Sequence, residues 1–177
     1  MQDWINDHRL LFAALVLLAI AVQWCLVVSL ISLMSGWRAL SGRFRAQQPF
    51  MGQKWSWQYA RMRGSARYNG CLTLGSDSMG LFMDVMRLFR PGHPALFIPW
   101  TEITVRHQPW AASEMVEIRL GSAEQIPFRI IGSLASRLQA MAGSYWLIDK
   151  NYPQSGPGRS VPDTGGAEPS TRRVITR

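Results

Sequence analysis

The run from Leu10 to Met34, LLFAALVLLAIAVQWCLVVSLISLM, is 25 residues long and carries no charge. As a helix it would rise about 37 Å at ~1.5 Å per residue, enough to cross a hydrocarbon core of about 30 Å with some tilt. A small soluble domain rarely hides so long an uncharged helix on every side. A cleaved signal peptide fits poorly: Asp3, Asp7 and Arg9 make the preceding stretch net acidic, and Ser35-Gly36-Trp37 offers no small-residue cleavage site. The expectation is an uncleaved anchor, with residues 1–9 as a short extracytoplasmic N-terminus and residues 10–34 as a transmembrane helix. No second run approaches this length, which excludes a polytopic transporter.

The charge distribution predicts orientation. Residues 35–150 hold 14 basic and 7 acidic side chains, so most of the net +8 follows the span. Arg9 stands alone before the run, whereas Arg38, Arg43, Arg45 and Lys54 lie within about 20 residues after it, which puts the C-terminal bulk in the cytoplasm. Trp4 and Trp37 bracket the span as interfacial anchors. The excess is moderate, and Glu102, Glu114, Glu117 and Glu124 alternate with Arg106, Arg119 and Arg129. That is a solvated sheet face and no nucleic-acid groove. Cys25 in the span and Cys71 in the cytosolic part are not expected to pair.

Ala14, Ala21, Cys25, Ser29, Ser32 and Gly36 recur on one helical face of the run. Small residues on one face let transmembrane helices approach closely, so this stripe is a candidate for self-association. Immediately after it, residues 35–47 read SGWRALSGRFRAQ. Trp37, Leu40 and Phe44 share a face there while Arg38, Arg43 and Arg45 take others. The spacing predicts a basic amphipathic helix lying at the headgroup level. Pro49 ends it.

From Lys54 onward the hydrophobic period becomes two. Trp55, Trp57 and Tyr59 alternate with polar residues, followed by sets at Leu72 and Leu74; Leu81, Met83 and Val85; Ile103 and Val105; Val116, Ile118 and Leu120; and Ile126, Phe128 and Ile130. Alternation of this kind predicts strands with one buried face. Gly75–Ser78 and Gly121–Glu124 read as hairpin loops, and Arg90-Pro91-Gly92-His93-Pro94 as a firm break. Pro99 and Pro127 mark strand ends or edges. Counted with the apparent strand that holds Pro99, seven short strands predict a mainly β fold, a small barrel or sandwich. Leu134, Leu138, Met141 and Tyr145 then return to helical spacing, predicting one closing helix that ends near Trp146. Residues 149–177, rich in Pro and Gly, are expected to stay disordered.

The run YNGCLTLGSDSMGLFMDVMRLFRPGHPALFIPWTEI, Tyr68 to Ile103, resembles a stretch of GRAM-like domains in the pleckstrin-homology-like superfold. It is also similar to bacterial single-span membrane proteins carrying the phrases YNGCLT, FRPGHP and IPW. The resemblance covers about residues 52–148. It implies a seven-stranded barrel capped by a C-terminal helix at a bacterial inner membrane, and it implies no activity. In lipid-binding members the loop between the first two strands supplies basic residues. That assigns Arg61, Arg63 and Arg67, with Lys54 at the strand start, to anionic lipid alongside Arg38, Arg43 and Arg45.

No catalytic pattern is present: GxSxG, HExxH, P-loop and GxGxxG are all missing, and His8, His93 and His107 share no spacing with the cysteines or acidic pairs. No enzyme activity, cofactor or metal is expected. Exposed sheet edges can accept a peptide as an added strand. Trp100 and Trp110 flank one strand here, and Phe82 and Met86 are candidates for an outward face. Three functions follow as expectations. The first is a membrane-anchored interaction or scaffolding module with a protein partner. The second is a structural subunit, possible as a homo-oligomer, that assembles through its transmembrane helix. The third is a phospholipid-binding domain.

Overall fold

The computed structural model describes residues 2–63, 66–107 and 115–149, and the side chains of 2–7 and 107 lie outside that description. Trp110, Glu114, the side chain of Trp4 and the expected tail from 150 onward are therefore outside the described residues. One helix, α1 (Gln2–Ser35), contains the uncharged run and is long and apolar enough to cross a membrane. Its apolar side chains from Leu10 to Val27 stay exposed, as Leu11, Leu18 and Leu26 illustrate.

Seven antiparallel strands follow: β1 (Gln53–Met62), β2 (Ala66–Ser76), β3 (Gly80–Val85), β4 (Leu96–Pro99), β5 (Ile103–His107), β6 (Met115–Leu120) and β7 (Ile126–Ile131). They form one sheet in the order β4-β3-β2-β1-β7-β6-β5, curled into a nearly closed barrel. The mainly β fold and the order of seven strands before one helix are as expected. Leu72, Leu74, Leu81, Met83, Ile118 and Phe128 all point inward and are fully buried, as the period-two pattern requires. Pro99 ends the edge strand β4, and Pro127 stands at the start of β7, before that strand's pairing with β1 begins at Phe128.

Both edge strands are covered by other parts of the chain. Arg45 bridges Leu96, and the Ala46 N–H donates to the Ala95 carbonyl at 2.8 Å. At β5, Val105 N–H donates to Leu147 O at 2.9 Å, and Asp149 N–H donates to Val105 O at 2.8 Å. Covered edges leave few free ladder groups for unwanted pairing.

Three expectations need correction. In β1, the register slips between Trp55 and Gln58 and again before Ala60, and Trp57 has φ +60°. The first slip places one extra residue on β1 between Trp55 and Gln58 and reverses the phase of the strand, whereas the second places its extra residues on β2 between Tyr68 and Leu72. Trp57 and Tyr59 therefore face out, about two-thirds exposed, and Ala60 and Met62 take the core positions.

The second correction concerns the amphipathic helix. It exists as α2 (Trp37–Phe44), but Trp37 and Leu40 are completely buried and Phe44 nearly so, all within the barrel core. The apolar face expected on lipid instead closes one end of the barrel. The folded unit thus begins at Trp37 and not at residue 52.

The third is α3 (Gly132–Ala142), which buries Leu134, Ala135, Leu138 and Ala142 and leaves Met141 and Tyr145 largely exposed. The helix stops before Gly143, so Tyr145 never reaches the face its spacing assigned. Trp146 is buried after the helix, edge-on to Trp100 at 6.4 Å.

Candidate functional site

The strand registers put the end of β1, the start of β2 and the β3–β4 and β6–β7 connections at one end of the barrel. That is the end α2 closes, and α1 leaves from it. Gly36 makes the joint. Its φ of +83° breaks the helix between Ser35 and Trp37, and a Cβ there would lie 2.7 Å from Ile126 Cδ1.

The two phrases YNGCLT and FRPGHP meet at this joint. Tyr68 Oη lies 3.0 Å from Ser35 Oγ at the end of α1 and 3.0 Å from His93 Nε2. His93 Nδ1 faces the Pro91 carbonyl at 3.2 Å. The single Tyr68 hydroxyl proton is donated to Ser35 Oγ, which in turn donates to the Ser32 carbonyl, and His93 Nε2 meets the same phenol oxygen. Trp37 packs against both rings, and its Nε1–H donates to the Pro94 carbonyl at 2.9 Å. Burial pushes the Tyr68 hydroxyl up to about 12 and pulls the His93 imidazole below its ordinary value. This cluster holds polar groups satisfied in a dry place and is a structural joint between α1, β2 and the loop before β4.

The small-residue stripe divides. Ala14, Ala21 and Cys25 are exposed, whereas Ser29, Ser32 and Gly36 face the chain's own barrel. Ser32 Oγ donates to the Gly92 carbonyl, and a Cβ on Gly92 (φ +74°) would come within 3.0 Å of Ser29 Cα. The close approach permitted by those small residues is made to the loop before β4.

The basic residues also divide. Arg61 pairs across the sheet with Arg67 on one side and Arg129 on the other, and Arg63 follows at the turn. All four are exposed. Glu117 accepts from Arg129 at 2.7 Å and from Arg119 at 2.9 Å, so it balances only one flank of the cluster. Like charges directly opposite on a sheet repel, and an anion would relieve them. Lys54 is not with them: it sits seven residues up β1 from Arg61, about 23 Å away at ~3.3 Å per residue. Its ammonium lies 5.6 Å and 5.5 Å from the rings of Phe50 and Phe82. Arg43 reaches Glu102 at 3.3 Å and Glu124 at 3.4 Å. The Ser122 bonds to Glu102, with Arg43 adding to them, hold its carboxyl below the usual range. Arg38 is exposed on α2.

Outside β3 and β4 runs a groove of about 680 Å³, walled by the segment from Arg43 to Met51 and floored by Phe82, Phe97 and Pro99. Phe82, a candidate for an outward face, lies outside the main core cluster but is buried, and Phe50 stacks on it at 4.7 Å with the rings 5° from parallel. Met51 and Met79 stand on the rim, 91% and 71% exposed. Trp100, expected beside an open edge, is buried. Phe50, Met51, Met79 and Phe97 escaped the sequence reading. For the two methionines the signal is an apolar residue placed directly before glycine, as in Met51-Gly52 and Met79-Gly80.

Among the described residues no group of three or more His, Cys, Asp or Glu side chains is arranged to hold a metal ion. Cys25 and Cys71 are free thiols, and burial raises the Cys71 thiol above its ordinary value. In comparison with known proteins, the chain matches no family model, no curated protein and no solved structure.

Proposed function

We propose that this protein is a membrane-anchored interaction module. In this reading α1 crosses the bacterial inner membrane, the barrel stands on the cytoplasmic side, and the groove outside β3 and β4 receives an extended apolar segment of a protein partner. The groove carries the reading. Two long thioether side chains lie open on its rim above stacked phenylalanines, and adaptable methionines of this kind suit binding surfaces. Arg45 and Lys54 beside it favour a partner segment with a carboxylate. The basic residues after the span support the cytoplasmic side, and the resemblance to bacterial single-span proteins supports the membrane.

A photocrosslinking residue at Met51 or Met79 of the full chain, in its own membrane, should capture a discrete protein that the same residue at Tyr59 does not. Equal capture at all three positions, or none at any, would remove the reading.

A phospholipid-binding role is the second reading, favoured by the convergence of Arg61, Arg63, Arg67 and Arg129 at the barrel end from which α1 leaves. Reversing Arg61 and Arg67 to Glu should then abolish any preference of the reconstituted protein for phosphatidylglycerol.

A further inference from the structure

We infer that the turn Met86–Arg90 dips into the bilayer beside α1, giving the barrel a second membrane contact that fixes its orientation; this rests on reading α1 as a span. The depth follows from counting along the helix. Asp7 and Arg9 together place the start of the hydrocarbon core near Leu10. About 20 helical residues are needed to cross about 30 Å, so the core reaches at least to Ser29. Trp24 lies five residues inside that limit, about 7 Å at ~1.5 Å per residue. At this level the barrel touches the helix: Trp24 Nε1–H donates to the Leu88 carbonyl at 3.0 Å, and the Trp24 and Phe89 rings are 5.5 Å apart. The contact is held from below by Ser32 on the Gly92 carbonyl.

The side chains at that depth suit lipid. Leu88 is 62% exposed and Met86 38%, while Phe89 packs toward the helix. In water they would form an apolar knob beside an apolar helix, and the bilayer edge covers both. The two charges of the turn are accommodated. Arg90 is bound to Asp84 at 2.7 Å, and Arg87 is exposed, with a stem long enough to carry its guanidinium back to the phosphates. Arg63 at the β1–β2 turn stands at the same end of the barrel, where headgroups would lie.

The test uses the full chain with Cys25 and Cys71 replaced by Ala, reconstituted in vesicles of phosphatidylcholine and phosphatidylglycerol. A nitroxide is attached in turn at Leu88→Cys, Leu17→Cys and Met51→Cys. Leu88 is a surface position, so its label leaves the fold intact. The ratio of collisions with oxygen to collisions with a water-soluble nickel chelate should be several-fold higher at Leu88 than at Met51, approaching that at Leu17. A Leu88 label as nickel-accessible as Met51, with Leu17 still protected, would overturn the insertion and leave the span standing. Nickel access at Leu17 as well would overturn both.

Discussion

Tyr68 and His93, 25 residues apart in the chain, meet in the barrel interior with Oη 3.0 Å from Nε2. Their meeting ties β2 to the loop before β4 at the point where α1 ends, because Ser35 touches the same hydroxyl. Removing the hydroxyl with Tyr68→Phe leaves the imidazole Nε2 buried without its partner, a cost of about 1–3 kcal/mol. Thermal unfolding of the detergent-solubilised protein should show that loss with the overall structure kept.

The same pair predicts a pH dependence. His93 is held below its ordinary value of 6.5, so the folded state binds its proton less readily than the unfolded chain. The stability this gives is present above pH 6.5 and is lost as pH falls through the lower folded value. Tyr68 has the opposite sense: its hydroxyl is raised from 10.0 to about 12, so its contribution is present below pH 10 and fades as pH rises toward 12. Tm measured across pH should fall on both sides, and His93→Gln should flatten the acid side alone.

Burial of α2 gives a sharp contrast with a helix lying on lipid. Leu40 is fully buried in the barrel core. Leu40→Ala should therefore destabilise the protein by about 2–5 kcal/mol through the lost contacts and the cavity left behind. A helix resting at the headgroup level would lose membrane affinity and little stability. Denaturant unfolding separates the two.

Gly36 and Ala21 belong to one sequence stripe and should respond differently. Gly36→Ala forces a side chain into left-handed backbone against Ile126 and should cost at least about 1 kcal/mol whatever the helix does with a second copy. Ala21→Leu changes only an exposed face of α1. Crosslinking in membranes that drops with Ala21→Leu would report association through the exposed part of the stripe. An unchanged yield would limit the stripe's role to contact with its own barrel.

Glu117 is buried among arginines on the outer sheet face and accepts from Arg119 and Arg129. Glu117→Gln should cost about 1.5–3 kcal/mol, the range for bonds to charged groups. It should also raise affinity for anionic vesicles, since the cluster around Arg61 loses a flanking carboxylate. Co-sedimentation at low and high salt reads the second effect.

Local pattern alone determined the long apolar helix, most of the strands, the two hairpin loops and the closing helix, because each depends on a period or a turn within a few residues. Leu72, Val116 and Phe128 alternate with polar neighbours, and alternation leaves one face to bury wherever the strand ends up. In β1 the pattern misled: one bulge between Trp55 and Gln58, invisible in the order of residue types, turned Trp57 and Tyr59 outward. Only the tertiary structure decided what each apolar face meets. Trp37, Leu40 and Phe44 make an equally good stripe for lipid or for a barrel mouth. The barrel wins because it offers a shaped apolar surface at the end of a one-residue joint. The small residues of the span had the same ambiguity, and Gly92 resolved half of it by bringing a loop close enough to touch Ser29. Trp24 carried no function as a residue inside an apolar run. It gains a structural role from Leu88, 64 positions away, since a hydrogen bond between them fixes where along the helix the barrel sits.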